Sequence, residues 1–211
     1  LLTLHTAELL VAAAGSAPLP GGAVLVEGDR ITGLGPYEEL GAAHPHARVR
    51  RWPGVLTPGL VVHGAQALLE GTYYPDDPYE TAELGTEPVS GAGALAALGL
   101  TEARWGASAR RATQRLLARG VVAVTGRLTV PSVRAAVVRS GLTLLPPAAA
   151  GLEMPSLDPF AGRESAEEAF HGGLEPGAPA RFAVFAAPGV PALPALGATS
   201  CVATVIGGRL L

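Results

Sequence analysis

The chain has 211 residues, 48% of them hydrophobic and 16% charged, a size and balance that suit one globular domain or two small ones. Its 28 Gly and 19 Pro are scattered without a period, which excludes collagen, and the apolar share excludes a disordered chain. A net charge of −3 leaves no basic surface for a phosphate backbone, so nucleic acid is not an expected partner.

All 15 basic residues are Arg, and the sequence has neither Lys nor Asn. Codon bias explains this, but it has a chemical consequence. A Schiff-base lysine, a P-loop lysine and a carboxylated lysine bridging two metals are all excluded. The single Cys201 excludes a disulfide framework and a Cys-rich zinc knuckle, and one reduced thiol suits a cytoplasmic protein.

In chain order, Leu1–Ala7 and Glu8–Ala12 read as strands. The apolar stretch Leu9–Ala14 is interrupted before it by Glu8 and has no basic residue ahead of it, so a strand is expected rather than an export signal. No stretch reaches the roughly 18 apolar residues of a membrane span. Ala23-Val-Leu-Val-Glu27, the turn Gly28-Asp29 and Arg30–Gly35 predict a β-hairpin. Pro36 opens a short helix, and Arg48–Trp52 is a short strand. From Leu68 to about Ser90 the pattern breaks into Gly, Pro and acidic residues, which predicts a long loop.

Thr101–Arg119 has helical period, with Ala109, Ala112, Leu116 and Leu117 on one face and most of the Arg residues on the other. Val121–Thr125 reads as a strand buried on both faces. Ser132 is expected to cap a helix that ends at Gly141, before another buried strand, Leu142–Leu145. A short helix is expected near 163–170. Arg181–Phe185 and a terminal hairpin, Ser200–Ile206 and Arg209–Leu211, close the chain. The order is β-rich, then helix–strand–helix–strand, then β-rich, a mixed α/β class in which the two ends complete one sheet domain and the middle is an insertion.

Three segments resemble the amidohydrolase superfamily, nearest its imidazolonepropionase and aminodeoxyfutalosine deaminase-like branch. They are Ala23–Gly35, Val55-Leu-Thr-Pro-Gly-Leu-Val61, and Gly173–Phe185 with Val202–Arg209. The resemblance implies a composite β-sandwich from residues 1–56 and 173–211, with 57–172 as a truncated barrel insertion. It also implies hydrolysis of non-peptide C–N bonds by a zinc- or iron-bound hydroxide. The family's His-x-His ligand pair follows the Pro-Gly-Leu-Val run by two residues. Those positions fall here on Gly64 and Gln66, neither of which suits a catalytic zinc. His63 sits one residue early, where strand alternation turns it to the other side.

Length points the same way. A full barrel takes about 250 residues, whereas the middle segment has room for about three or four βα units of ~30 residues. The expectation is therefore a degenerate relative without a metal cofactor, which binds, scaffolds or regulates. A homodimer or a protein partner would cover its open remnant. The alternative is an active hydrolase with zinc or iron at a rebuilt site drawn from His63, Asp76, Asp77 and His171. Among other groups, Asp76 and Asp77 read as a site for a cation or a basic partner, or as a solvated acidic turn, and His44-Pro-His46 as a metal pair or a solvated loop. Arg110, Arg111, Arg115 and Arg119 read as an anion patch or a solvated face, Cys201 as a small core residue, and Asp158 has no secure place in the family's pattern.

Overall fold

The computed structural model describes residues 1–75, 77–149 and 155–211. The chain runs β1 (Leu2–Leu10), β2 (Leu19–Pro20), β3 (Gly22–Glu27), β4 (Arg30–Pro36), α1 (Tyr37–Ala43), β5 (Arg48–Pro58) and β6 (Leu60–His63). It continues with α2 (Ala65–Leu69), β7 (Thr72–Tyr73), α3 (Pro78–Leu84), β8 (Val89–Ser90), α4 (Ala92–Ala97) and α5 (Glu102–Leu117). Then follow β9 (Val121–Thr125), α6 (Pro131–Ser140), β10 (Thr143–Leu145), β11 (Arg181–Phe185), α7 (Leu193–Leu196), β12 (Cys201–Ile206) and β13 (Arg209–Leu210). None of the described helices is long and apolar enough to cross a membrane. The chain divides into two compact units.

The first unit comprises residues 1–61, 117–122 and 158–211. Its eight-stranded sheet has the order β13-β12-β11-β5-β1-β3-β4, with β2 added against β1. Segments from both ends of the sequence thus share one sheet. β1 and β5 pair parallel, and β11 lies antiparallel on β5 with Val184 opposite Leu56. The expected hairpin is present as β3 and β4 around Gly28-Asp29. The sheet curls. Ile31 N–H donates to Ala178 O and Ala180 N–H to Asp29 O, which ties the approach to β11 onto the β3–β4 turn. Val24, Val26 and Ile31 therefore share one core with Phe182, Val184, Ala203 and Val205, and few aromatics are needed to fill it. Gly59, between β5 and β6, has no room for a side chain, since a Cβ there would lie 2.4 Å from the Val122 methyls.

The second unit comprises residues 62–116 and 123–157. It carries a three-stranded sheet of order β10-β9-β6 and a two-stranded ribbon, β7 with β8. β10 runs parallel to β9, with Thr143 opposite Ala123. β9 is buried at every residue, as its unbroken apolar run predicts. α5 buries Ala109, Ala112 and Leu116, the face its period predicts, together with Ser108 and Thr113. Ser108 Oγ accepts from Tyr74 N–H at 2.9 Å, so the helix also fixes the backbone after β7.

Two local expectations are corrected here. The stretch from 68 to 90 is not one long loop: it holds the end of α2, the ribbon and α3. Asp77 caps α3, its Oδ1 accepting from Tyr79 N–H at 2.8 Å, and Pro78 starts the helix. Ser132 does not cap α6. That helix begins at Pro131, and the amides ahead of it go to Glu70, whose Oε1 accepts from Thr129 N–H at 2.6 Å and Val130 N–H at 2.7 Å. A carboxylate from the residue that ends α2 replaces a local hydroxyl, and Ser132 Oγ is left buried without a partner among the described residues.

Candidate functional site

The carboxyl ends of β6 and β9 meet in the second unit. His63, the last residue of β6, is half-buried, with Nδ1 3.0 Å from Thr125 Oγ1 at the end of β9. Gly64 follows in the left-handed conformation (φ 82°) and turns the chain into α2. Gln66 lies exposed on α2, its Nε2 3.5 Å from Glu70 Oε2. The position after β6 thus offers one imidazole held by a threonine, a glycine and an amide. This donor set does not fit a catalytic zinc or iron, which needs about three protein ligands from His, Asp, Glu or Cys. Among the described residues, no three His, Cys, Asp or Glu side chains are grouped closely enough to hold a metal ion.

The other candidates do not join His63. Asp77 is exposed and caps α3, and Asp76 lies outside the described residues. His171 belongs to the first unit, where its backbone N–H donates to Gly59 O at 2.8 Å. Burial, then the Arg181 guanidinium, holds its imidazole below the usual histidine range. His44 and His46 follow α1 in the first unit, half-buried and exposed respectively. Asp158 accepts from Phe160 N–H and Ala198 N–H, which is a loop-fixing role. Cys201 donates to Ala203 O, and burial pushes its thiol upward, away from nucleophilic chemistry.

Residues outside that set shape the carboxyl ends of the strands. A cavity of about 640 Å³ opens there, lined by Gly64 after β6, Gly126 and Arg127 after β9, Pro147 after β10, and Glu70 and Thr129. In parallel α/β sheets this is where ligands bind. Both oxygens of Glu70 are in use. Besides the two amides, Oε2 accepts from Thr129 Oγ1–H at 2.9 Å and from Gln66 Nε2–H. Arg127 is exposed and forms no hydrogen bond or ion pair with the described residues. The available signal in the sequence is positional: Gly126-Arg127 stands directly after a strand that reads as buried on both faces.

The opening segment of the chain is similar to a known family over a short stretch. The particular match is to the family described as imidazolonepropionase-like composite domain, bacteria, over residues 22–47, which are β3, β4 and α1. This is the resemblance that Ala23–Gly35 carries in the sequence.

No sequence match to a curated protein is found. Among solved structures, the chain is similar to A. niger ochratoxinase at 21% identity and a TM-score of 0.49, covering 69% of this chain and 31% of that one. Helicobacter pylori aminofutalosine deaminase is similar at 16% identity and a TM-score of 0.45, covering 69% and 33%. E. coli guanine deaminase is similar at 14% identity and a TM-score of 0.48, covering 72% and 40%. The chain therefore spans between about a third and two fifths of the length of these structures.

Proposed function

We propose that this is an amidohydrolase-like protein that binds a ligand or partner and does not carry out metal-dependent hydrolysis. The observation that carries the reading is the end of β6, where Gly64 and Gln66 occupy the positions at which the resemblance expects a histidine pair. His63 is the one imidazole there, and it is engaged by Thr125. In this reading the first unit is the composite β-sandwich and the second is a shortened barrel insertion. The internal count agrees, since β6, β9 and β10 are the only strands of its larger sheet among the described residues.

Metal analysis of protein purified without chelator tests the reading. The expected result is less than about a tenth of an equivalent of zinc or iron, and no turnover of deaminase or cyclic-amide substrates when metal is added. One equivalent of metal that is lost in His63→Ala, together with turnover, overturns it.

The reading also proposes that a second copy or a protein partner covers β10, an edge strand that pairs only with β9 among the described residues. Sedimentation velocity is expected to show a dimer. A monodisperse monomer that binds no hydrophobic dye overturns this part.

A further inference from the structure

In the first unit, β5 is covered along only part of its length. β1 pairs with it from Arg48 to Leu56 on one side, whereas β11 pairs on the other side only from Val55 to Pro58. Among the described residues, no strand pairs with 48–53 on the side away from β1. Exposure changes at the same point: residues 48–53 are exposed or half-buried, and 54–58 are buried. This edge, about 20 Å long, therefore leaves the backbone N–H and C=O groups of alternate residues open to a further strand.

The side chains along the edge are basic. By strand alternation Arg48 and Arg50 stand on one face, Val49 and Arg51 on the other. Arg51 donates to the Tyr37 hydroxyl at 2.7 Å and lies over its ring. The guanidinium groups of Arg48 and Arg50 form no hydrogen bond or ion pair with the described residues, and Val49 is 40% exposed.

These charges decide what can dock. Charged side chains keep an open edge from pairing with another like itself. Two β5 edges brought together about a two-fold axis would set arginine against arginine, so a second copy is repelled here. A phosphodiester strand has no N–H to give to the open carbonyl groups. An extended acidic polypeptide satisfies both requirements, since its backbone continues the ladder and its carboxylates meet guanidinium groups.

We propose that the free edge of β5 at 48–53 receives an extended acidic segment of a partner protein as an added strand. Its alternate carboxylates meet Arg48 and Arg50, and a small apolar residue between them meets Val49. The surface belongs to the first unit, and the proposal does not depend on whether the strand-end site hydrolyses.

Fluorescence anisotropy with a labelled heptapeptide of alternating Glu and Val tests it. The comparison probes are the same peptide with Lys for Glu, the acidic peptide N-methylated at every residue, and a short oligothymidine. The acidic peptide is expected to bind with a Kd below about 1 mM, and at least about tenfold more tightly than each comparison probe. N-methylation keeps the charge and removes the backbone donors, so it separates strand addition from charge attraction alone. Arg48→Glu with Arg50→Glu is expected to reverse the preference between the Glu and Lys peptides. Arg48→Glu alone, at an exposed position, is expected to weaken the acidic peptide at least about threefold, and it carries the test if the double variant does not fold. An unchanged thermal midpoint shows that a variant folds. Equal binding of any comparison probe, unaltered binding in Arg48→Glu, or no binding of the acidic peptide at about 1 mM overturns the proposal. None of these outcomes bears on the metal analysis, which tests the non-hydrolytic reading by itself.

Discussion

His5 is the most heavily buried imidazole of the chain, 2% exposed in β1. It stacks on Trp52, meets the edge of Phe182, and accepts from Trp52 Nε1–H through Nδ1 at 3.3 Å. Burial, and then the positive charge of Arg50, lowers its pKa to about 4. The folded pKa lies below the unfolded value, so the unfolded chain binds the proton first. The stabilisation is present above about pH 6.5 and is lost as pH falls toward 4, on the order of 3 kcal/mol in all. Urea unfolding at pH 7 and pH 4.5 is expected to show this loss in the native chain and a smaller loss in His5→Phe. Parallel pH profiles for the two proteins would refute it.

Glu70 is the other decisive residue at this scale. Glu70→Ala removes the acceptor of two amides and a hydroxyl and is expected to cost about 1–3 kcal/mol in urea unfolding. Glu70→Gln keeps one acceptor oxygen and is expected to lose less. Neither residue's role was legible in the sequence. Glu70 lies 59 and 60 positions from the amides it holds, and His5 sits in a strand that reads like any other.

At the scale of elements, what the sequence makes legible is what short-range patterning determines. The β3–β4 hairpin follows from two β-rich runs around Gly28-Asp29. β9 follows from its unbroken apolar run, and the buried face of α5 from its period. The stretch from 68 to 100 is read less well because Pro75, Asp77 and Pro78 signal turns while also capping and starting α3. α4 is a single short Ala-rich piece between Gly91 and Gly99, too brief for its period to register.

The β5–β6 join supplies a test. Gly59→Ala drives a Cβ into the Val122 side chain and is expected to destabilise the protein by about 1–3 kcal/mol, read as a lower urea midpoint. Gly35→Ala, where nothing lies within 4 Å of the added atom, is the matched control and is expected to change little.

At the scale of the whole molecule, the sequence shows that its β-rich ends complement each other, and the sheet order realises this through the pairing of β11 with β5. The cavity stayed hidden because Gly64, Gly126 and Pro147 converge only once the strands are aligned. Cutting the chain before Arg181 removes Phe182, Val184, Ala203 and Val205 from the core of the first unit. Such a fragment is expected to lose near-ultraviolet circular dichroism and to bind hydrophobic dye, as an unpacked sheet does. Retention of the native spectrum would refute the dependence of the opening strands on the closing ones.

The same β5–β11 pairing sets a timetable. Roughly 120 residues lie between Pro58 and its partner Phe182, so this contact must close a long loop after everything between has been made. At about 5–20 residues per second, a ribosome leaves the edge of β5 waiting on the order of ten seconds for its neighbour. During that interval the helices and short strands of the second unit, whose contacts are more local, can already form. The nascent chain thus completes the sheet of its first unit only after its middle has been made.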